Sequence, residues 1–247
     1  MSRIFPKQIL RYIIYGIVLF IFLLAVYFVM KGALNYHRIA ECKNVSEKEF
    51  CGIETIDLAV PDILNKKIQN VVDTGEGKRV VISGWKAGRT IDTSTVKKVL
   101  PTLFDWYIGL EKEIGDIIGE KVYITADTLP TTCAVLIYEN DGDFINWHYD
   151  VNYFNGRFFT LLIPCTFVNS CTEYTYFDKN RNKQGLKEER GKAILFEGDK
   201  VFHMATKFCN KGAKRIMISV QFSTNPTISW YNRLMMRIKD TAYIGYK

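Results

Sequence analysis

Between Arg11 and Lys31 the chain carries no charge: YIIYGIVLFIFLLAVYFVM runs from Tyr12 to Met30. A helix built from it is apolar all round, and water is a poor solvent for such a surface. It would extend roughly 28 Å at 1.5 Å per residue, close to the hydrocarbon thickness of a bilayer. A signal peptide is a second reading. The run is longer than an ordinary signal h-region, however, and no A-x-A-like cleavage site follows it. A buried core helix is a third, but such helices keep a polar stripe. We therefore read 1–11 as a short N-terminal tail, 12–30 as a transmembrane anchor and 31–60 as a stalk. Tyr12, Tyr15 and Tyr27, near the ends of the run, suit the bilayer interfaces.

Orientation is less sharply written. Arg3, Lys7 and Arg11 precede the span and Lys31, Arg38 and Lys43 follow it, so the positive-inside balance is nearly level. Two features favour a type II arrangement with a lumenal or external domain. Asn44-Val-Ser46 is an N-glycosylation acceptor pattern. The six cysteines, Cys42, Cys51, Cys133, Cys165, Cys171 and Cys209, are even in number. Cys42 with Cys51 and Cys165 with Cys171 are near enough in sequence to pair locally; six reduced, buried thiols are the alternative. The net charge of +7 is spread along the chain, so no nucleic-acid footprint is expected.

Residues 61–247 read as one domain. PDILNKKIQNVV, from Pro61, has helical spacing, and GEGKRVVISGW reads as a turn and a short strand. A helix is expected within Ser94–Gly119, where Leu103, Trp106, Leu110, Ile114 and Ile117 recur every three or four residues, with Pro101 breaking or beginning it. From Lys121 the period changes. KVYITA, CAVLIY, FINWHYD, RFFTLLIP, EYTYFD, KAILFE and KRIMISVQF are short, β-branched or aromatic, and separated by Gly, Asn and Asp. Strands without intervening helices predict a sandwich or barrel, here over about 121–224. Asp178–Gly191 is a charged loop, either a cover for substrate or a solvated insertion, and WYNRLMMRIKD is a candidate final helix.

The chain has three histidines, and one of them lies in INWHYDVNYFN. His148 and Asp150, two apart in an expected strand, point to one face. His203 follows in FEGDKVFHMA. Two imidazoles and a carboxylate on a β-scaffold form the facial triad suited to non-haem Fe(II), with three coordination positions left open. Zinc accepts the same ligands. H-x-D alone arises often by chance, and a lone histidine is commonly a core residue. The strand RIMISVQF raises the odds. Arg215, Met217, Ser219 and Gln221 share one face, with Ile216, Ile218, Val220 and Phe222 on the other. An arginine on such a face needs an anion, either a protein carboxylate or a dicarboxylate ligand. Lys214 should point the opposite way.

H-x-D, a histidine 55 residues on and a basic residue 12 beyond it resemble the iron(II)/2-oxoglutarate-dependent dioxygenases. Within them the chain is most similar to the prolyl 4-hydroxylase-like group. YENDGDFINWHYD, TEYTYF and GKAILFEGDKVFH each resemble a segment of that group, and the likeness spans roughly Val122 to Thr224. It implies a mainly β fold with supporting helices, a double-stranded β-helix (jelly roll) with a metal inside one mouth. His148, Asp150 and His203 match the iron ligands. Arg215 matches the residue pairing with the distal carboxylate of 2-oxoglutarate. Tyr138 matches a tyrosine that bonds the co-substrate, Ser219 shares the face of Arg215, and Thr160 is a weaker candidate. The implied cofactor is Fe(II), with 2-oxoglutarate and O2 as co-substrates and ascorbate as an auxiliary reductant. The implied partner is a protein or peptide, hydroxylated at a side chain, most plausibly prolyl. The alternatives are a lipid or small-molecule hydroxylase, a cupin-like zinc protein, and a non-catalytic membrane-tethered jelly roll. Trp147 and Tyr149, flanking His148, are expected to pack.

Overall fold

The computed structural model describes residues 7–41, 52–166, 172–178, 180–187, 189–209 and 212–236. The apolar run forms the core of a single helix, α1 (Lys7–Glu41), which extends well beyond it at both ends. Within α1, Gln8–Tyr27 has mean hydropathy 2.6 and none of it is buried, which makes it a candidate membrane span. Cys42, Cys51, Cys171 and Asn44 lie outside the described residues.

The remainder is a curled antiparallel sheet of jelly-roll type backed by short helices. Its strands in chain order are β1 (Ile53–Asp57), β2 (Lys78–Ile82), β3 (Lys86–Ile91), β4 (Tyr123–Ile124), β5 (Cys133–Tyr138), β6 (Phe144–His148), β7 (Phe158–Pro164), β8 (Tyr174–Phe177), β9 (Lys183–Leu186), β10 (Lys192–Glu197), β11 (His203–Ala205) and β12 (Arg215–Ser223). Across the sheet the order is β1-β10-β7-β12-β5-β3-β6-β11-β8-β9, with β2 on β3 and β4 on β12. Apart from the β2–β3 and β8–β9 hairpins, neighbouring strands are non-consecutive in the chain, as a jelly roll requires.

All seven expected strand segments are strands, and the helix expected from Pro61 is α2 (Asp62–Asp73). Three other expectations change. Ile53–Asp57, placed in the stalk, is β1 and pairs with β10, its Ile56 joining the core. The segment 94–119 is not one helix but α3 (Thr93–Val99), α4 (Pro101–Gly109) and α5 (Glu111–Ile118). Asp92 caps α3 by accepting from Thr95 N (2.9 Å), and Pro101 opens α4 because it has no N–H to continue the previous turn. The charged loop 178–191 contains β9, which forms a hairpin with β8.

One layer of core lies between the sheet and the helices. Ile68 and Val72 of α2, Leu103 and Tyr107 of α4 and Ile114 of α5 meet Ile216, Ile218, Val220 and Phe222 of β12. The alternation along β12 thus sends one set of side chains to this core and leaves the other set facing the concave side.

Cys165, near enough to Cys171 in sequence to pair with it, is free and buried at the end of β7, and Cys133 is also free and buried. Burial pushes both thiols up to about 12, so neither is a thiolate at neutral pH. Cys209 is disulfide-bonded.

Candidate metal centre

The two histidines meet by strand pairing. β6 and β11 are antiparallel neighbours, with His203 directly opposite His148 and a register shift between His203 and Ala205. Their rings lie 4.2 Å apart, centroid to centroid. Asp150, expected in the same strand as His148, instead follows it in a loop, because β6 ends at His148. Tertiary contacts place it. Asp150 N donates to Gly198 O (2.9 Å), and Thr160 Oγ1 on β7 donates to Asp150 Oδ2 (2.6 Å). One ligand atom from each of His148, Asp150 and His203 lies within 4.8 Å of the others.

Gly198 makes this approach possible. A Cβ there would sit 2.9 Å from both Cβ and Oδ2 of Asp150 and 2.8 Å from Phe158. The turn containing Gly198 is fixed by Glu197, which is fully buried and accepts from Arg157 Nε (2.9 Å), Lys200 Nζ (2.7 Å) and Gly52 N (3.3 Å). A buried carboxylate with this many donors is well satisfied. Asn152 closes the far side, donating to Gly156 O (2.9 Å) and to Asp199 (3.3 Å). Gly156 is required as well: a Cβ there would meet Asn225 N at 2.2 Å.

The donor set fits a divalent metal. Each imidazole turns Nδ1 to a backbone carbonyl, His148 to Asn146 O (2.7 Å) and His203 to Val201 O (2.9 Å). A ring that donates from Nδ1 presents its Nε2 lone pair, the usual state of a metal-bound histidine. Burial lowers the pKa of His203 against the opposing pull of Asp150 and the Val201 carbonyl, so the ring stays neutral, as a ligand must. Tyr174 stacks on His203 (5.3 Å between centroids) and Phe196 meets it edge-on (4.7 Å).

The triad lines a cavity of about 470 Å³. Arg215, Met217, Ser219 and Gln221 of β12 line it too, the face read from the alternation. Arg215 is buried, and its guanidinium lies 4.8 Å over the ring of Tyr138, its cross-strand partner on β5. Lys214 points away and pairs with Asp73 (2.6 Å). The cavity thus holds Tyr138, Ser219 and Thr160 alongside Arg215 and the three candidate ligands. Trp147 packs on Phe177 (4.8 Å) and Phe202 (5.3 Å) as expected, whereas Tyr149 both packs on Phe202 and lines the cavity. The sequence offers a Gly-Asp turn before His203 but does not show that Gly198 admits Asp150; the carbonyls that orient the imidazoles each lie two residues before the histidine they hold.

Compared by sequence, the chain matches no family model and no curated protein. Compared by fold, it resembles a Pseudomonas putida prolyl-4-hydroxylase, with TM-score 0.51 and 12% identity, covering 76% of this chain and 97% of that one. A Trichoplax adhaerens prolyl hydroxylase, solved with a peptide fragment of the hypoxia inducible factor oxygen degradation domain, gives TM-score 0.51 and 12% identity, covering 85% and 95%. The epimerase SnoN, solved with Fe3+, alpha ketoglutarate and nogalamycin RO, gives TM-score 0.57 and 10% identity, covering 77% and 84%. The chain has the fold of the 2-oxoglutarate/Fe(II) oxygenases, of the kind seen in prolyl 4-hydroxylases.

Proposed function

We propose that this chain is a membrane-anchored Fe(II)/2-oxoglutarate-dependent dioxygenase that hydroxylates a protein side chain, most plausibly prolyl. The observation that carries the reading is one cavity holding both a pre-oriented His148–Asp150–His203 triad and the buried Arg215. A jelly roll that only binds partners needs neither, and a zinc site of cupin type has no use for the arginine.

His148, Asp150 and His203 would hold the metal on one face of its coordination sphere. Iron(II), when bound, would supply the means of activating O2, which is the oxidant: 2-oxoglutarate, O2 and the substrate C–H bond would give succinate, carbon dioxide and the hydroxylated product, one oxygen atom going to succinate and one to the product. Arg215 receives the distal carboxylate of 2-oxoglutarate through its guanidinium fork, with Tyr138 beneath it and Ser219 on the same face. Thr160 holds one carboxylate oxygen of Asp150, which leaves the other free to coordinate. The apolar walls exclude water from the reacting centre.

Prolyl specificity draws support from the two prolyl hydroxylases that share the fold, one of them bound to a peptide. A small-molecule substrate is the second reading, favoured by the likeness to SnoN, which was solved with nogalamycin RO. Anchoring rests on the Gln8–Tyr27 segment, and a lumenal or external domain on the disulfide at Cys209.

The test is succinate formation by the full chain with Fe(II), 2-oxoglutarate and a proline-containing peptide library, beside His148→Ala. Turnover that vanishes in the variant is expected. Absence of both iron and 2-oxoglutarate binding in the intact protein would overturn the enzyme reading, and turnover only with small molecules would overturn the prolyl one.

A further inference from the structure

One segment lies outside the sheet and supplies none of the candidate metal ligands. After β12 the chain passes through Ile228, which bridges to Phe154, and enters a helix, α6, described over 230–236. Its two faces differ. Met235 and Met236 are buried against Leu129, Tyr153, Phe154 and Phe158, and Asn232 Nδ2 donates to Tyr153 O (3.0 Å). The outer face shows Trp230, 80% exposed, with Tyr231 and Leu234 at 39% and 51%, and Arg233 beside them. A soluble surface has little reason to display this combination on two turns of helix.

The same helix touches α1. Tyr27 meets Tyr231 edge-to-face at 5.9 Å, and Leu24 and Tyr27 pack against the cluster that buries Met235 and Met236. Tyr27 is also the last residue of the apolar Gln8–Tyr27 span. A helix held against that point lies at the depth where a bilayer gives way to its headgroups. Tryptophan and tyrosine are enriched at this depth, and arginine there reaches lipid phosphates.

We propose that α6 docks in the headgroup layer of the bilayer, with Trp230, Tyr231 and Leu234 inserted and Arg233 at the phosphates. The occupant of this face is lipid, not another protein, because its apolar residues continue directly from the span. The docking has a consequence for the site. Leu129, Tyr153, Phe154 and Met236, which α6 covers or contributes, also line a part of the cavity that holds the triad. Docking therefore fixes that part of the cavity close to the membrane surface, and a substrate entering there would be a juxtamembrane segment. The inference rests on the anchored reading of α1.

The test uses the full chain in vesicles of phosphatidylcholine with a minority of phosphatidylserine, doped with phosphatidylcholine brominated near the carbonyl end of its acyl chains. Tryptophan emission of the wild type is expected to be quenched by the brominated lipid, and Trp230→Phe is expected to lose that quenching. Trp230 is exposed, so its substitution does not threaten the fold. Phe20→Trp in the Trp230→Phe background reports the span itself, with bromines deep in the acyl chains. Quenching of this introduced indole, together with a wild type and Trp230→Phe that respond alike to the shallow bromines, would overturn the docking and leave the anchor standing. No quenching of either reporter would overturn both.

Discussion

Along β12 the two faces of one strand serve different ends. Ile216, Ile218, Val220 and Phe222 pack against α2, α4 and α5 and are almost completely excluded from water. Arg215, Met217, Ser219 and Gln221 turn into the cavity. Arg215 and Met217 are about as buried as the core face, so burial alone does not separate core from site. Partners do: the first face is apolar against apolar, whereas the second carries a guanidinium and two further polar groups beside the His148–Asp150–His203 cluster. The hydrophobic core lies on one side of a single strand and the candidate site on the other.

The sharpest way to break that contrast is on the core face. Ile218→Ala is expected to destabilise the fold by about 2–5 kcal/mol, as cavity-forming truncations do, while the folded fraction still binds iron. Chemical denaturation beside metal titration reads both, and loss of iron binding by the folded fraction would show that the two faces are not separable. On the site face, Arg215→Ala is expected to raise the 2-oxoglutarate requirement by roughly 10- to 100-fold, the value of a charge-assisted pair of hydrogen bonds, with iron affinity unchanged. An unaltered requirement assigns the carboxylate to another residue. Thr160→Val keeps the shape but removes the donor to Asp150, and iron affinity is expected to fall by about tenfold, as for other partners of metal ligands. Iron titration checks it, and an unchanged affinity would make this contact incidental.

The smallest expected effect is a pH dependence away from the site. Burial pulls Asp143 upward, but hydrogen bonds from Arg79 and from Asn140 N and Glu139 N outweigh it and hold the carboxyl below its usual range. A carboxyl depressed in the folded state stabilises above its unfolded pKa of about 3.9 and loses that contribution as pH falls through the folded value. The stability gap between wild type and Asp143→Asn is therefore expected to narrow below about pH 4. A gap that stays constant down to acid unfolding would remove Asp143 from the account.

The legible parts of this molecule are those written in local patterns. The alternation of RIMISVQF assigns both faces of β12 and sends Lys214 outward to Asp73, because side-chain direction in a strand has period two. The uncharged run Tyr12–Met30 lies within one helix. His148, Asp150 and His203 do converge, yet strand alternation does not account for Asp150. It lies past the end of β6, held by Gly198 and Thr160. Similarly, Cys165 has a cysteine close by in sequence, but the end of β7 faces the buried core and its thiol stays free. Ile53–Asp57 lacks any signal of its own because a short edge strand takes its identity from the strand it joins.

The sequence alone determined what could be read from spacing: an apolar segment of bilayer length, a β-rich region with one polar and one apolar face, and three metal-ligand side chains of the right kinds. Tertiary structure alone decided what depends on groups far apart in the chain. It set His203 opposite His148 across the β6–β11 pair. It also fitted Asp150 against a glycine that has room for it, and brought α6 against α1. Periodicity is a property of neighbouring residues and survives in one dimension. Close approach and shared walls arise only when the sheet curls and loops close, and no local pattern encodes the contacts that closure makes.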